Sequence, residues 1–231
     1  MFIPLSDSNP LRYLPFQYVT VGLVIVNVAV FVFFQSGIFV DGMEATAFGY
    51  GVIPAVLNDL KELPPEIAGI DEKWTLVTYQ FLHGGWMHLI ANMLFLWVFG
   101  DNVEDAMGHV RFLLFYLLCG VAAGLAHSMM QPDSTAPLIG ASGAVAGVIA
   151  AYLMLHPHVR VWVLALGRLP LRLPAWIVLG FWIGLQFVSI ALVTDDTGVA
   201  WWAHIGGFAA GLVLVVFMKR REVPLFDRGL A

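Results

Sequence analysis

Residues Gly140 to Leu155 read GASGAVAGVIAAYLML, and residues Trp201 to Gly211 read WWAHIGGFAAG. Both stretches are almost wholly apolar, and Ser142 and His204 interrupt them. Neither alternates polar with apolar positions as a barrel strand does, so helices are the only way to satisfy their backbone N–H and C=O groups in lipid. A hydroxyl and an imidazole in such segments are expensive unless they serve a purpose, which makes a nucleophile and its base the first hypothesis.

Composition agrees with a membrane setting. The 231 residues are 60% hydrophobic and only 12% charged, where a soluble domain carries about 25% charged residues. The net charge of -5 argues for no particular partner, because in a multi-pass chain the distribution of charge among loops is what counts. The one cysteine, Cys119, lies in an apolar run and reads as a buried structural thiol. The chain carries no nucleic-acid patch, no phosphate-binding glycine loop and no internal repeat.

Six apolar segments fall at about Phe16–Phe34, Trp86–Phe99, Phe112–Met129, Ala141–Leu155, Leu173–Val193 and Val199–Met218. They predict an all-α, polytopic membrane protein: one membrane domain over 1–231 with its core at about 16–218 and a short cytoplasmic tail at 219–231. The first segment is longer than a signal-peptide core and lacks a small-x-small cleavage site, so it reads as an uncleaved span. The linker 36–85 carries Pro54, Pro64 and Pro65 among apolar residues such as Phe48, Tyr50, Val52 and Ile53, and reads as a long outer loop folded on the membrane surface. Val161–Pro170, broken by Gly167 and Arg168, reads as an interfacial turn.

With the N-terminus in the cytoplasm, Arg12, Arg111, Arg160, Arg168, Arg172, Lys219, Arg220, Arg221 and Arg228 fall inside, and only Lys61 and Lys73 outside. Nine basic residues against two select this orientation by the positive-inside rule. The outer acidic residues, from Asp41 to Asp196, read as solvated loop charges.

The same orientation starts the second, fourth and sixth helices at the outer face, and puts His88, Asn92, Ser142 and His204 in their first turns. Four intramembrane polar groups then share one depth, as a site opening outward requires. The fourth helix, about 15 residues, spans roughly 22 Å against a hydrocarbon core of about 30 Å. Its start therefore lies below the membrane surface, and the loop Gln131–Ile139 dips inward around a water-accessible cavity.

Gly143 and Gly147 on the fourth helix, and Gly207 and Gly211 on the sixth, form small-xxx-small pairs that allow close backbone approach. An isolated pair marks packing alone; here each adjoins a reactive side chain, and the approach brings Ser142 to His204. Histidine can take and return the hydroxyl proton. Every Asp and Glu lies in a loop or at a membrane end, so the unit reads as a dyad without a buried orienting acid. Gly140 and Gly143 let the chain turn tightly and aim backbone N–H groups at a developing oxyanion. His88 and Asn92, four residues apart on one face, either make interhelical hydrogen bonds or add donors to that oxyanion.

These motifs resemble the rhomboid intramembrane serine proteases. Gly140-Ala141-Ser142-Gly143, Ala203-His204-Ile205-Gly206-Gly207 with Gly211, and His83-Gly84-Gly85-Trp86-Met87-His88-Leu89-Ile90-Ala91-Asn92 match in order, spacing and six-helix layout from about Tyr18 to Met218. The resemblance implies cleavage of single-span membrane proteins in the lipid bilayer, without a cofactor or metal. It implies Ser142 as nucleophile, His204 as base, and Asn92, His88 and the Ser142 N–H as oxyanion hole, with His83, Gly140, Gly143 and Gly207 in support. It also implies a compact bacterial-type core in an inner membrane. Two features depart from the pattern. Ala146 replaces the aromatic residue that stacks on the histidine in some members, so another group must hold the imidazole, and the Trp-Arg pair of the first loop is absent.

Three other readings fit part of the pattern. A transporter places polar residues at one depth but calls for intramembrane charges or an inverted repeat. A zinc enzyme draws on histidines, yet no H-E-x-x-H occurs and His156-Pro157-His158 lies at the opposite end of the fourth helix. A catalytically inactive rhomboid-like client-binding protein normally lacks the serine or the histidine, and both are present.

Overall fold

A computed structural model describes residues 2–165, 167–192 and 200–227. The order of elements is β1 (Phe2–Asp7), α1 (Tyr18–Val30, continued as a π-helical segment Phe31–Gln35), α2 (Met43–Tyr50), α3 (Pro54–Leu57), α4 (Glu72–Thr78, continued as a 3-10 turn Tyr79–Phe81), α5 (Trp86–Met107), α6 (His109–Met130), α7 (Ser142–Leu155), β2 (Arg160–Ala165), β3 (Leu169–Pro174), α8 (Ala175–Leu192) and α9 (Trp201–Met218). The loop Thr194–Gly198, with Asp195 and Asp196, and Arg228 in the tail lie outside the described residues.

Four helical segments, Tyr18–Gln35, His109–Met130, Ala175–Leu192 and Trp201–Met218, are each long and apolar enough to cross a membrane. Glu72–Phe81 and Trp86–Met107 qualify as a pair bent by 82°, and Ser142–Leu155 is a shorter apolar helix. The protein is a multi-pass, helical membrane protein. Its outward surface carries Ile25, Phe33, Leu114, Leu118, Val213 and Phe217, an apolar belt that a soluble protein would not tolerate but lipid covers.

α7 lies at the centre, buried from Gly143 to Tyr152 and packed against α5, α6 and α9. Its run of Gly, Ala and Val leaves no bulky side chain to hold the neighbours away, which is how helices in lipid gain dispersion contacts. A β-carbon at Gly207 would overlap the Gly143 carbonyl oxygen, and one at Gly211 would overlap that of Gly147. The two small-xxx-small pairs thus face each other across the α7–α9 seam.

Three features differ from the sequence reading. The interfacial turn expected over Val161–Pro170 is a β-hairpin turning at Gly167 (φ +70°), and β1 completes an antiparallel sheet of order β1-β2-β3. Second, α5 continues past Phe99 to Met107, so Asp101, Glu104 and Asp105 stand in a helix and not in a loop. Third, the linker 36–85 is built of helices as well as loop. Pro54 opens α3 at a position that needs no N–H donor, and Asp71 caps α4 by accepting from Lys73 N at 3.0 Å. The linker also grips the loop before α7, since Val52 and Leu138 exchange backbone bonds of 3.1 and 2.7 Å and Ala55 N donates to Ser134 O at 2.9 Å.

The polar end of α5 remains helical because the N-terminal arm satisfies it. Glu104, fully buried, accepts from Val19 N (2.9 Å), Thr20 N (2.7 Å) and Thr20 Oγ1 (2.7 Å), and pairs with His109 Nδ1 at 2.5 Å. It supplies the cap that Gln17 does not give α1, and places a carboxylate at a helix N-terminus. Asp105 accepts from the backbone N–H groups of Arg12, Tyr13 and Leu14. Glu104→Ala strands several buried donors, each costing about 1–3 kcal/mol. The variant is expected to unfold in detergent at a clearly lower temperature than the parent; an unchanged melting midpoint would show that the cap is dispensable.

Candidate active site

Ser142 is the first residue of α7, partly accessible, in a chain that reaches it through Gly140 at φ +130°. A side chain at Gly140 would be strained at that φ, and its β-carbon would stand 2.7 Å from His88 Cε1 and 2.8 Å from Nε2. The missing side chain therefore lets the His88 ring lie against the loop next to Ser142. Gly140 N donates to Tyr79 O at 2.9 Å, which fixes the turn to the segment before α5.

His204 approaches from α9. Its Nε2 lies 2.9 Å from Ser142 Oγ, and its Nδ1 lies 2.7 Å from Gln186 Oε1 on α8. The ring also lies beside two indoles, Trp182 at 5.7 Å between centroids and Trp201 at 6.1 Å, the latter edge-on at 86°. These three side chains occupy the role that Ala146, fully buried, is too small to fill.

The seam that makes the pairing possible is the glycine contact described above. Gly143 also faces α6, where its β-carbon would overlap that of Ala123 and stand 3.2 Å from Tyr79 Oη. A larger residue at Gly207 would separate the helices that carry the hydroxyl and the imidazole, and one at Gly143 would push α7 away from α6.

On α5, His88 Nδ1 lies 3.3 Å from Gly84 N. A backbone N–H can only donate, so Nδ1 accepts and the ring hydrogen sits on Nε2, the edge turned toward Gly140. Asn92 is buried, and its Nδ2 donates to His88 O at 3.0 Å, which uses one of its two amide hydrogens. His83 does not join the pair: it is buried next to His88, ring centroids 5.2 Å apart, and its backbone N–H donates to Gln35 Oε1 at 3.0 Å.

Ser142, His204, His88, Gly140, Gly143 and Gly207 therefore meet at one place, with Asn92 one turn along α5 and His83 in a second layer. The sequence reading assigned no part at the site to Gln186, Trp182 or Trp201. A signal was available for Gln186. It is a lone amide in a lipid-length apolar segment, the same anomaly that singles out Ser142 and His204.

A hydroxyl held by an imidazole, whose far nitrogen is held in turn, is the general arrangement of an activated nucleophile. The Rhomboid domain family matches this chain over residues 71–221, which takes in α4 to α9 and every site residue named above except Gln35. The chain belongs to the rhomboid family. It is 34% identical over 159 residues to rhomboid protease GluP of Bacillus subtilis, covering 69% of this chain and 29% of that protein. It is 32% identical over 158 residues to RHOMBOID-like protein 1 of Arabidopsis thaliana, covering 68% and 38%. It is also 29% identical over 159 residues to Rhomboid-like protease 3 of Toxoplasma gondii, covering 68% and 57%. The chain spans about half or less of the length of most of these curated relatives.

Proposed function

We propose that this chain is an intramembrane serine endopeptidase that cleaves transmembrane segments of single-span membrane proteins, with Ser142 as nucleophile and His204 as general base. The observation that carries this is the Oγ–Nε2 separation of 2.9 Å with Nδ1 held 2.7 Å from Gln186 Oε1, because a hydroxyl is nearly inert at neutral pH without a base aimed at its proton.

In this mechanism Ser142 Oγ attacks the scissile carbonyl carbon while its proton passes to His204 Nε2. The carbonyl oxygen becomes an oxyanion, stabilised by the Ser142 N–H at the start of α7, the Nε2–H of His88 and the second amide hydrogen of Asn92. His204 then returns the proton to the departing amine, the C–N bond breaks, and an acyl-serine remains. A water molecule, deprotonated by His204, attacks the acyl carbon and frees Ser142. No metal or cofactor takes part. Substrate helices with Gly or Pro near the cut are favoured, since a regular helix hides its carbonyls from a nucleophile.

The distribution of nine basic residues against two supports cytoplasmic termini and a site opening to the outer side of the membrane, and the membrane we propose is a bacterial inner one. Purified protein incubated with a panel of single-span substrates, with the products mapped by mass, tests the proposal. Discrete cuts in or beside the substrate helix are expected; binding without cutting would favour a client-capturing role instead.

Access for a substrate helix falls to α8, whose Trp176, Phe181 and Phe187 are exposed. Trp182 is not a neutral probe of this gate, because it packs on Phe95 of α5 at 6.2 Å as well as on His204. Phe181→Ala and Phe187→Ala are the variants to compare, expected to change the turnover of transmembrane substrates while leaving reactivity toward a small soluble inhibitor as in the parent. Unchanged turnover in both would place substrate admission elsewhere.

A further inference from the structure

A histidine base needs its hydrogen on Nδ1 and its lone pair on Nε2, facing the serine, and a carboxylate commonly enforces this. Here the group on Nδ1 is an amide. Gln186 Nε2 donates to Trp182 O at 2.9 Å, and Gln186 Oε1 lies 2.7 Å from His204 Nδ1. The first bond decides which way the amide faces. A peptide carbonyl only accepts, so it takes the NH2 end and leaves the oxygen for the ring; an amide oxygen also only accepts, so the ring hydrogen is on Nδ1.

We infer that Gln186 is the positioning residue that fixes the tautomer of His204, and that its place on α8 couples the reactivity of the dyad to the position of that helix. This rests on the serine-protease reading above. An amide suits the task in lipid, since it sets the proton without burying a fixed charge beside the ring.

The way α8 is moored supports the coupling. Ala175, Val178 and Leu179 are buried toward its first residues, and beyond them Gln186 is the only buried residue among those described in the helix. Its neighbours Leu185, Phe187 and Val188 are exposed. Past Trp182, whose ring packs on Phe95 and His204, the later half of α8 is tied to the bundle through the polar contact of buried Gln186 with the proposed base. A substrate helix that pushes α8 aside breaks this contact, and the imidazole loses the acceptor that orients it. Return of α8 restores the acceptor and with it the tautomer that takes the Ser142 proton. Admission and chemistry therefore alternate, which keeps the reactive form of the dyad for the closed arrangement.

Two measurements test this. In nitrogen-15 spectra of the histidine-labelled parent in detergent, the His204 resonances, identified by their loss in His204→Ala, should report hydrogen on Nδ1; hydrogen on Nε2 would overturn the inference whatever the variants do. In kinetics, Gln186→Met keeps the length of the side chain and removes the acceptor. Its labelling by a small fluorophosphonate should slow about 10-fold or more, with kcat on a single-span substrate falling in parallel and KM not rising. Gln186→Glu, which restores an acceptor, should recover most of the loss. Labelling of Gln186→Met at the parent's rate, with Ser142→Ala unlabelled, would overturn the role of Gln186 and leave the protease reading intact. Labelling of Ser142→Ala would overturn the protease reading itself.

Discussion

Ser142→Ala and His204→Ala should each insert and fold like the parent and lose cleavage by several orders of magnitude, with the double variant hardly worse than either. Residues that act as a unit show this non-additivity, because once the proton cannot move, removing the second partner takes away nothing more. Both changes delete atoms without adding bulk, and Ser142 is partly accessible, so the packing of α7 on α9 is preserved. Asn92→Ala should lose on the order of 10²-fold, as removal of one oxyanion donor does elsewhere. Rates of product formation in detergent or proteoliposomes decide this. Additive losses would mean that the serine and histidine act separately.

Gly207→Val is expected to abolish activity by a different route. Its β-carbon would overlap the Gly143 carbonyl oxygen, and a backbone oxygen cannot rotate away as a side chain can. The α7–α9 seam must open, at about 3 kcal/mol or more given that overpacking a tight core costs 1–3 kcal/mol even where side chains yield. A lower melting midpoint and loss of labelling at Ser142 should appear together. Gly180→Ala and Gly184→Ala on α8, where a β-carbon meets nothing within 4 Å, serve as controls. They should melt no lower than the parent, since alanine favours the helix by up to about 1 kcal/mol. A Gly207→Val protein that melts and cleaves like the parent would remove the glycine seam from the account.

The parts of this protein that could be read from sequence are those governed by lipid. A span must satisfy its own backbone and present an apolar surface, so length and composition locate α1, α6, α8 and α9 directly. A polar group inside a span is costly unless it serves a purpose, so Ser142 and His204 stand out. What escaped the sequence depends on distant partners. Asp101, Glu104 and Asp105 end the apolar run after Phe99, yet the helix goes on, because Glu104 and Asp105 accept backbone donors from residues 12 to 20. The sheet escaped for the same reason: Pro4 pairs with Val163, and Asp7 with Val161, far apart in the chain. Within β2 the alternation of exposed Arg160 and Trp162 with buried Val161 and Val163 was available, but six residues of alternation beside a helix boundary do not separate a strand from an interfacial turn. Gln186 was legible by the rule that found Ser142. Its role required knowing that α8 turns that face to α9.

Covalent capture decides whether Ser142 is a nucleophile activated by His204. The parent protein, reacted with a fluorophosphonate probe in detergent, digested and mapped by mass, should carry one adduct, on Ser142. Ser142→Ala should carry none, His204→Ala should label far more slowly, and a metal chelator should change nothing. An unlabelled parent that still cleaves its substrates, an adduct at another residue, or full proteolysis by Ser142→Ala would contradict the assignment.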